Sequence, residues 1–552
     1  MRILAILLLL TCFVSPFLFA EEGETLYKKH CAVCHGENRL GKIAPPLLPL
    51  FLKKKTDEKL FRIIKNGLPA TQMPSFKDLS NNEIKKIISY IRKPADVKWS
   101  EKEIKKSINL SNSKPKNLEI KNIKNLVAVV EQGKGKVWIM ENKKILDKFN
   151  FKNVHGGIKY SSDGKKLFVP SRDGWIGRYD IKEGKFYGKV RACIYQRNIA
   201  VSRDGEYIIS SCWLPEKIVI LSADTLNPVK EFEVKGKISA VYELHKKNSA
   251  IFTFRDMPYL GIIDLNSFKI KYIDLKEPFE DFFIDPFEEY VVGSSRHGTV
   301  LSVIDLDTFN YIFNYKMEGM PHLASATFFY KDGKFFFATP HITKPFITIW
   351  QMYNWKFDRK VKINGNGFFV RTHPETPYLW TDNGGDKIVL IDKNDFSIKE
   401  KQVVKGKRVI HTEFNGDGNI AYISIYDRDG ALILYDSITL KEIKRYPASI
   451  PIGKYNFVNK SRQYLPVLLG REVYMAKCWG CHNPTTQAFG PSFKKIAQTR
   501  TPEYIKAQII TPEHISKILG YQRNAMPKLK LSEEEIEALV SFIMEQKNVK
   551  NN

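Results

Sequence analysis

From about Asn125 to Leu440 the chain repeats one arrangement of apolar and polar positions: a polar turn often carrying Asp-Gly, an apolar strand, a second turn, and a second apolar strand. Copies read, for example, as SSDGKKLFVPSRDGWIGRYDI, SRDGEYIISSCWLPEKIVIL and NGDGNIAYISIYDRDGALILYD, and eight can be laid out. Their turns, near Asp163, Asp204, Asn248, Pro286, Asp332, Glu375 and Asp417, recur at roughly 40-residue intervals, the period of a four-stranded propeller blade. Tyr207-Ile208-Ile209, Leu301 to Leu306 and Leu432 to Tyr435 are β-branched or aromatic runs bounded by Gly, Asp, Asn and Pro, as short strands are. Eight copies predict eight blades closed around a shaft, whose mouth is a natural place for a large ligand.

On either side the periodicity changes. Met1 to Ala20 is a basic residue followed by a leucine-rich run, which predicts a cleaved export signal and a periplasmic protein; a retained membrane anchor is the alternative. Cys12 belongs to that leader. Of the six remaining cysteines, four lie in Cys31-Ala32-Val33-Cys34-His35 and Cys478-Trp479-Gly480-Cys481-His482. C-x-x-C-H is the attachment sequence of c-type haem: two thiols add to the vinyl groups and the adjacent His, here His35 and His482, takes one face of the iron. A zinc or redox C-x-x-C would not need the same helical approach in both places, Glu24 to Lys29 and GREVYMAKCWGCH.

The sixth ligands are expected to be Met73 and Met526, each followed by Pro, with Met475 a poorer candidate three residues from Cys478. His/Met ligation raises the reduction potential and suits electron transfer. Capped helices over Asn82 to Ile91 and Ser532 to Gln546 close each unit. Both units resemble class I cytochrome c, so the expected architecture is an all-β eight-bladed propeller flanked by two all-α class I cytochrome c domains. The expected division is a signal peptide over 1–20, a cytochrome over 21–93, a linker over 94–124 with a helical piece, the propeller over 125–460, and the second cytochrome over 461–552, with 461–470 as a short joint.

Composition adds one constraint. The 87 basic against 60 acidic residues, a net +27, would suggest nucleic acid, but export and two haem motifs argue against it. Scattered lysines instead suit anionic redox partners, such as periplasmic cytochromes or cupredoxins, or the acidic groups of a cofactor. Cys193 and Cys212, in neighbouring repeats, are expected as two free buried thiols, with pairing as the alternative.

Seven histidines lie in the repeats. His155, His322, His373 and His411 sit beside strands in distinctive settings, whereas His245, His297 and His341 read as ordinary surface residues beside turns. From His155 to Lys460 the segments HGGIKYSSDGKKLFVPSRDGWIGRYD, GMPHLASATF, GFFVRTHPETPYLW and DGALILYDSITLKEIKRYPASIPIGKYNFVNK resemble the haem d1 propeller family. That family includes a nitrite reductase and a dihydro-haem d1 dehydrogenase, and the resemblance is greater to the dehydrogenase; the C-terminal cytochrome is an addition. The resemblance implies that His155 is the proximal iron ligand and His322 its counterpart on the distal side. It implies His411 and Tyr455 as the catalytic pair of a dehydrogenase, and His373 as a second distal His of a reductase. Arg172 and Arg197 are candidates to bind the ligand's carboxylates through two bonds.

The implied activity is oxidation of a propionate of dihydro-haem d1 to the acrylate of haem d1, with electrons passed to two covalently attached haems c. The alternatives are a nitrite reductase making nitric oxide, kept open by His373, and a haem d1 carrier without catalysis. Nitrite reductase is then a possible recipient of the finished haem d1, and no nucleic-acid partner is expected.

Overall fold

The structure, a computed structural model, describes residues 22–41, 44–53, 55–67, 73–95, 97–295, 300–520 and 522–549. The leader, with the cleavage or anchor it predicts, and His297 lie outside them. Eight antiparallel sheets follow one another in chain order, and the ring closes by a strand exchange. Pro451–Asn456, from the end of the repeat region, pairs with Leu126–Glu131 and becomes the innermost strand of the first blade. The sequence repeats correspond to the second and third strands of each blade, fully buried runs such as Leu126–Glu131 and Ile420–Ile425.

The recurring Asp-Gly turns have a local cause. In Asp163-Gly164 and Asp204-Gly205 the glycines have φ of 70° and 75°, a conformation that costs other residues most. The preceding Asp carboxylate accepts from the backbone N–H two residues on, Lys165 at 3.0 Å and Glu206 at 3.0 Å. Asn248 then donates to Asp204 from the neighbouring blade at 3.0 Å, and Asn125 to Asp417 at 2.6 Å across the ring closure. Between blades lie fully buried indoles, Trp138, Trp350 and Trp380, whose N–H groups donate to Glu131, Thr348 and Thr376.

Every blade's innermost strand runs in the same direction, so the shaft has two distinguishable ends. The near end holds the starts of the innermost strands and the second-to-third-strand turns; the far end holds the Asp-Gly turns. The N-terminal helical unit, built on Tyr27, Leu52, Leu60, Ile84, Ile87 and Ile91, docks at the near end. Arg191 donates to Leu40 O (2.7 Å) and Gly41 O (3.3 Å), and Phe51 meets Tyr195 edge-on at 4.5 Å. The C-terminal unit docks at the far end through Arg471 with Glu375, Tyr330 with Glu535, and Lys124 with Glu545. Its helices Leu465–Lys477 and Glu533–Glu545 cross so closely that a Cβ on Gly470 would lie 1.8 Å from Ala538 O.

Three expectations change. The linker is docked: Glu101–Ser107 buries Ile104, and Asn109–Leu110 adds a fifth strand to the second blade, covering an edge that would otherwise present open hydrogen-bonding groups. The joint after Lys460 is already helical from Leu465. Cys193 and Cys212 form a disulfide, because the pairing of the third blade's first two strands brings their Cα atoms to 6.1 Å, within bridging range.

Candidate functional site

One chemical criterion sorts the histidines, met by His35, His482 and His322 and not by His155, whose Nε2 is bonded and whose Nδ1 is buried without a partner. A ligating imidazole keeps a free Nε2 while Nδ1–H is tied to an acceptor. His35 donates from Nδ1 to Pro45 O at 2.7 Å, and His482 does the same to Pro491 O at 2.8 Å. The thiols of Cys31, Cys34, Cys478 and Cys481 are unbridged, so both motifs fit covalent c-type haem. Met73 and Met526 are partly buried against the cores of their units, whereas Met475 points away, 50% exposed.

In the propeller, His322 donates from Nδ1 to Phe368 O at 2.7 Å, which leaves its Nε2 free toward the near end. Its ring packs against Phe368 and Phe369 at 4.6 and 5.5 Å. His155 begins the second blade, held by Gly156 and Gly157 at φ of 90° and 85°. A Cβ on Gly156 would lie 2.4 Å from Arg197 O, so only glycine permits this approach. His155 Nε2 accepts from Arg172 at 2.5 Å, and the guanidinium lies over the Tyr195 ring at 5.3 Å. Burial, then the charges of Arg172 and Arg197, push the His155 imidazole down to about 3, so it stays neutral as a ligand must. Arg172 is pushed down to about 10 by burial, and its Nη1 is buried without a partner. Arg197 donates from Nε to Ser239 O at 2.7 Å.

His411 sits where its strand, Val409–Phe414, carries a register shift between Ile410 and Glu413, and its φ is 54°. A bulge with a left-handed non-glycine residue costs about 1–3 kcal/mol and re-aims a side chain, the pattern of a functional position. The ring stands 4.7 Å from Phe369 and 6.0 Å from Tyr455, which comes from the closing strand. Burial, then Lys454, Arg371 and Lys460, hold the imidazole far below its ordinary range, and Nδ1 has no hydrogen-bond partner. Burial pushes the Tyr455 phenol up to about 12, so it keeps its proton.

His155, His322, His411 and Tyr455 therefore converge with Arg172 and Arg197 toward one end of the shaft. His373 does not. It follows the innermost strand of its blade, at the far end, where Nε2 donates to Gly416 O at 3.1 Å and Nδ1 accepts from Glu375 N at 3.3 Å. Both nitrogens are used, and the place beside His322 is taken by Phe368 and Phe369. His341 is likewise no surface residue: it is fully buried, bonded to Glu318 O and Thr348 Oγ1. His245 pairs with Glu288. Sequence reasoning passed over Arg371, two residues before His373, which donates to Ser325 O and Val370 O (both 2.9 Å) and faces Glu413 at 3.9 Å. Strand alternation was the signal, since Phe369, Arg371 and His373 share one face.

Comparison with known proteins identifies the family of the ring. Residues 121–460 match the family described as Cytochrome D1 heme domain, residues 19–91 match Cytochrome C oxidase, cbb3-type, subunit III, and residues 467–547 match Cytochrome c. The chain is 35% identical over 464 residues to dihydro-heme d1 dehydrogenase of Pseudomonas aeruginosa, covering 79% of this chain and 94% of that protein. It is 24% identical over 326 residues to protein NirF of the same organism, 54% of this chain and 81% of the relative. The solved structure of dihydro-heme d1 dehydrogenase NirN in complex with DHE superposes with a TM-score of 0.74 at 34% identity, over 80% of this chain and all of that one. With a family match across the whole ring and 35% identity over most of the chain, the chain belongs to the cytochrome d1 haem domain family, carried here between two cytochrome c-like segments.

Proposed function

We propose that this protein oxidises dihydro-haem d1 to haem d1, removing two hydrogens from a propionate arm to leave an acrylate. The observation that carries this reading is the meeting of a neutral, strained His411 with Tyr455 at 6.0 Å, opposite the free Nε2 of His322. His155 and His322 would hold the substrate's iron between them, once Arg172 leaves His155 Nε2. Arg172 and Arg197 then offer guanidinium forks to the macrocycle's carboxylates.

His411, uncharged at neutral pH, accepts a proton from the arm and, once emptied, the second, while the two electrons leave to the c-type haems. Tyr455, still protonated, donates a hydrogen bond to the arm's carboxylate and fixes its orientation. Two class I cytochrome c units, ligated by His35 with Met73 and His482 with Met526, supply one-electron acceptors when their haems are bound. The unit docked at the near end is the first of them. The disulfide between Cys193 and Cys212 supports a periplasmic location, an oxidising compartment. There, periplasmic cytochromes or cupredoxins would take the electrons and a nitrite reductase would be a recipient of the product. A nitrite reductase activity of this chain itself loses its residue support, because His373 stands at the other end of the shaft with both nitrogens bonded.

The test is anaerobic incubation of the purified protein, c haems oxidised, with dihydro-haem d1, followed by extraction of the pigment and its absorption spectrum. Haem d1 appearing together with reduced c-haem bands is the expected result. Tightly bound but unchanged pigment would leave a carrier and remove the enzyme.

A further inference from the structure

Beneath His411 and Tyr455 the shaft narrows into a layer of buried charge that the chemistry above does not use. Glu413, two residues beyond His411, has a fully buried side chain; Oε1 accepts from Asn459 at 2.8 Å and from Phe414 N at 3.0 Å. Its Oε2 accepts no hydrogen bond and faces Arg371 Nε at 3.9 Å. Lys460 reaches in from the turn of helix after the closing strand, its ammonium 5.6 Å from the centre of the Tyr455 ring. Lys159 and Glu243, bonded through both carboxylate oxygens at 2.8 and 2.9 Å, complete the layer. Below it, toward the far end and under helix Leu465–Lys477, lies a cavity of about 160 Å³ whose walls include Lys159, Arg371, Asn459, Lys460 and Arg462. A polar space of this size holds several waters.

A buried carboxylate oxygen without a hydrogen bond costs about 1–3 kcal/mol, so its retention between a base and a wet cavity asks for a role. The reaction proposed above supplies one, and the inference rests on that reading. Removing two hydrogens releases two electrons and two protons; the electrons leave one at a time to the c-type haems, but His411 must be emptied before it acts again. On that reading the bound substrate covers its near-end side. We propose that Glu413 and Lys460 form the exit by which the proton taken up at His411 passes into the far-end cavity.

The carboxylate of Glu413 accepts the proton from the imidazolium, the neutral amine of Lys460 takes it on, and cavity water receives it, so no atom is gained or lost in the layer. Burial, then Arg371 and Lys159, pushes the Lys460 amine down to about 7, against the opposing pull of Glu413 and Glu243, so it exchanges a proton near neutral pH. Arg462, on the same wall, adds a further cation. Glu413 is set by Arg371, Asn459 and the Phe414 amide.

The test compares Glu413→Gln and Lys460→Arg with the wild type. Arginine keeps the cation and its bulk but does not give up a proton, so a purely architectural role leaves Lys460→Arg normal. With the c haems reduced, so that no turnover occurs, calorimetry near pH 7 in two buffers of different ionisation enthalpy reads the protons exchanged on dihydro-haem d1 binding. The wild type exchanges a fraction of a proton and Lys460→Arg does not. With the c haems oxidised in weakly buffered solution, a pH indicator and the haem d1 band are followed together. Proton release lags product formation at least tenfold in each variant, while substrate affinity stays within twofold. Release in step with product in either variant removes that residue from the route and overturns the proposal. Failure of the wild type to form haem d1 is a different result, and it removes the dehydrogenase reading instead.

Discussion

Replacing Cys193 and Cys212 together by Ala tests how far the near end depends on one covalent clip. The bridge joins residues 19 apart in sequence, between the loop entering the third blade and that blade's second strand. In the chain-entropy treatment, opening a loop of about that length gives back roughly 3 kcal/mol to the unfolded state. The strands it spans, Tyr195–Val201 and Tyr207–Leu214, pair with each other regardless, so the folded register survives and the loss is chiefly in the unfolded reference. Against the 5–15 kcal/mol typical of folded domains, about 3 is a large share. The assay is urea unfolding followed by tryptophan fluorescence, with the wild type plus reductant as the control that should reproduce the variant. A second effect follows from position. Tyr195, two residues beyond Cys193, carries the Arg172 guanidinium on one side and Phe51 of the N-terminal unit on the other. Dihydro-haem d1 should therefore bind more weakly to the double variant. An unfolding free energy within about 1 kcal/mol of the wild type would refute the loop-closure reasoning.

Substituting Gln for His411 should leave pigment binding intact and lower turnover by about 10² to 10⁴, the usual worth of a positioned base; turnover near the wild-type rate would remove the assignment. Lys159→Met strands Glu243 uncompensated in the shaft and should cost about 3–5 kcal/mol in urea unfolding, most of it recovered by Lys159→Met with Glu243→Leu; equal stabilities of single and double variants would count against the pair. Acidification acts through His341 and His373, pushed by burial down to about 4 and about 3. Each therefore loses stability as pH falls below the ordinary 6.5, by about 2 kcal/mol at about pH 5. Asp285, pushed up to about 6, acts the other way and returns about 1.4 kcal/mol between about pH 8 and 5. The three groups together predict a net loss of about 3 kcal/mol between about pH 8 and 5, read from urea midpoints at those two pH values, and a rise on acidification would contradict it.

The propeller was legible because its second and third strands are mostly buried and its turns need Asp-Gly for a positive φ. Innermost strands left little trace; Lys159–Tyr160 and Val370–Arg371 are two residues long and carry charge into the shaft. The haem c motifs were legible because covalent attachment fixes their spacing. His373 was misassigned on its motif alone, although the phase of the repeat held the answer. It lies two residues before its turn at Glu375, whereas His155, His322 and His411 lie eight, ten and six before Asp163, Asp332 and Asp417. Glu413 escaped notice because the bulge at His411 shifts every following side chain, which alternation cannot foresee. The disulfide depends on how the loop into the third blade lies against that blade's second strand, and the spacing of two cysteines does not encode it.

Closing the ring with Pro451–Asn456 ties the timing of competence to the end of synthesis. Tyr455 rides on that strand, so the pair it makes with His411 does not exist until some three hundred residues after His155 have been made and folded back upon the first blade. Such long-range pairing is slow to form. A chain cut after the eighth repeat has His155, His322 and His411 but no finished reaction chamber. The protein is thereby kept from acting on a reactive tetrapyrrole before its walls are complete.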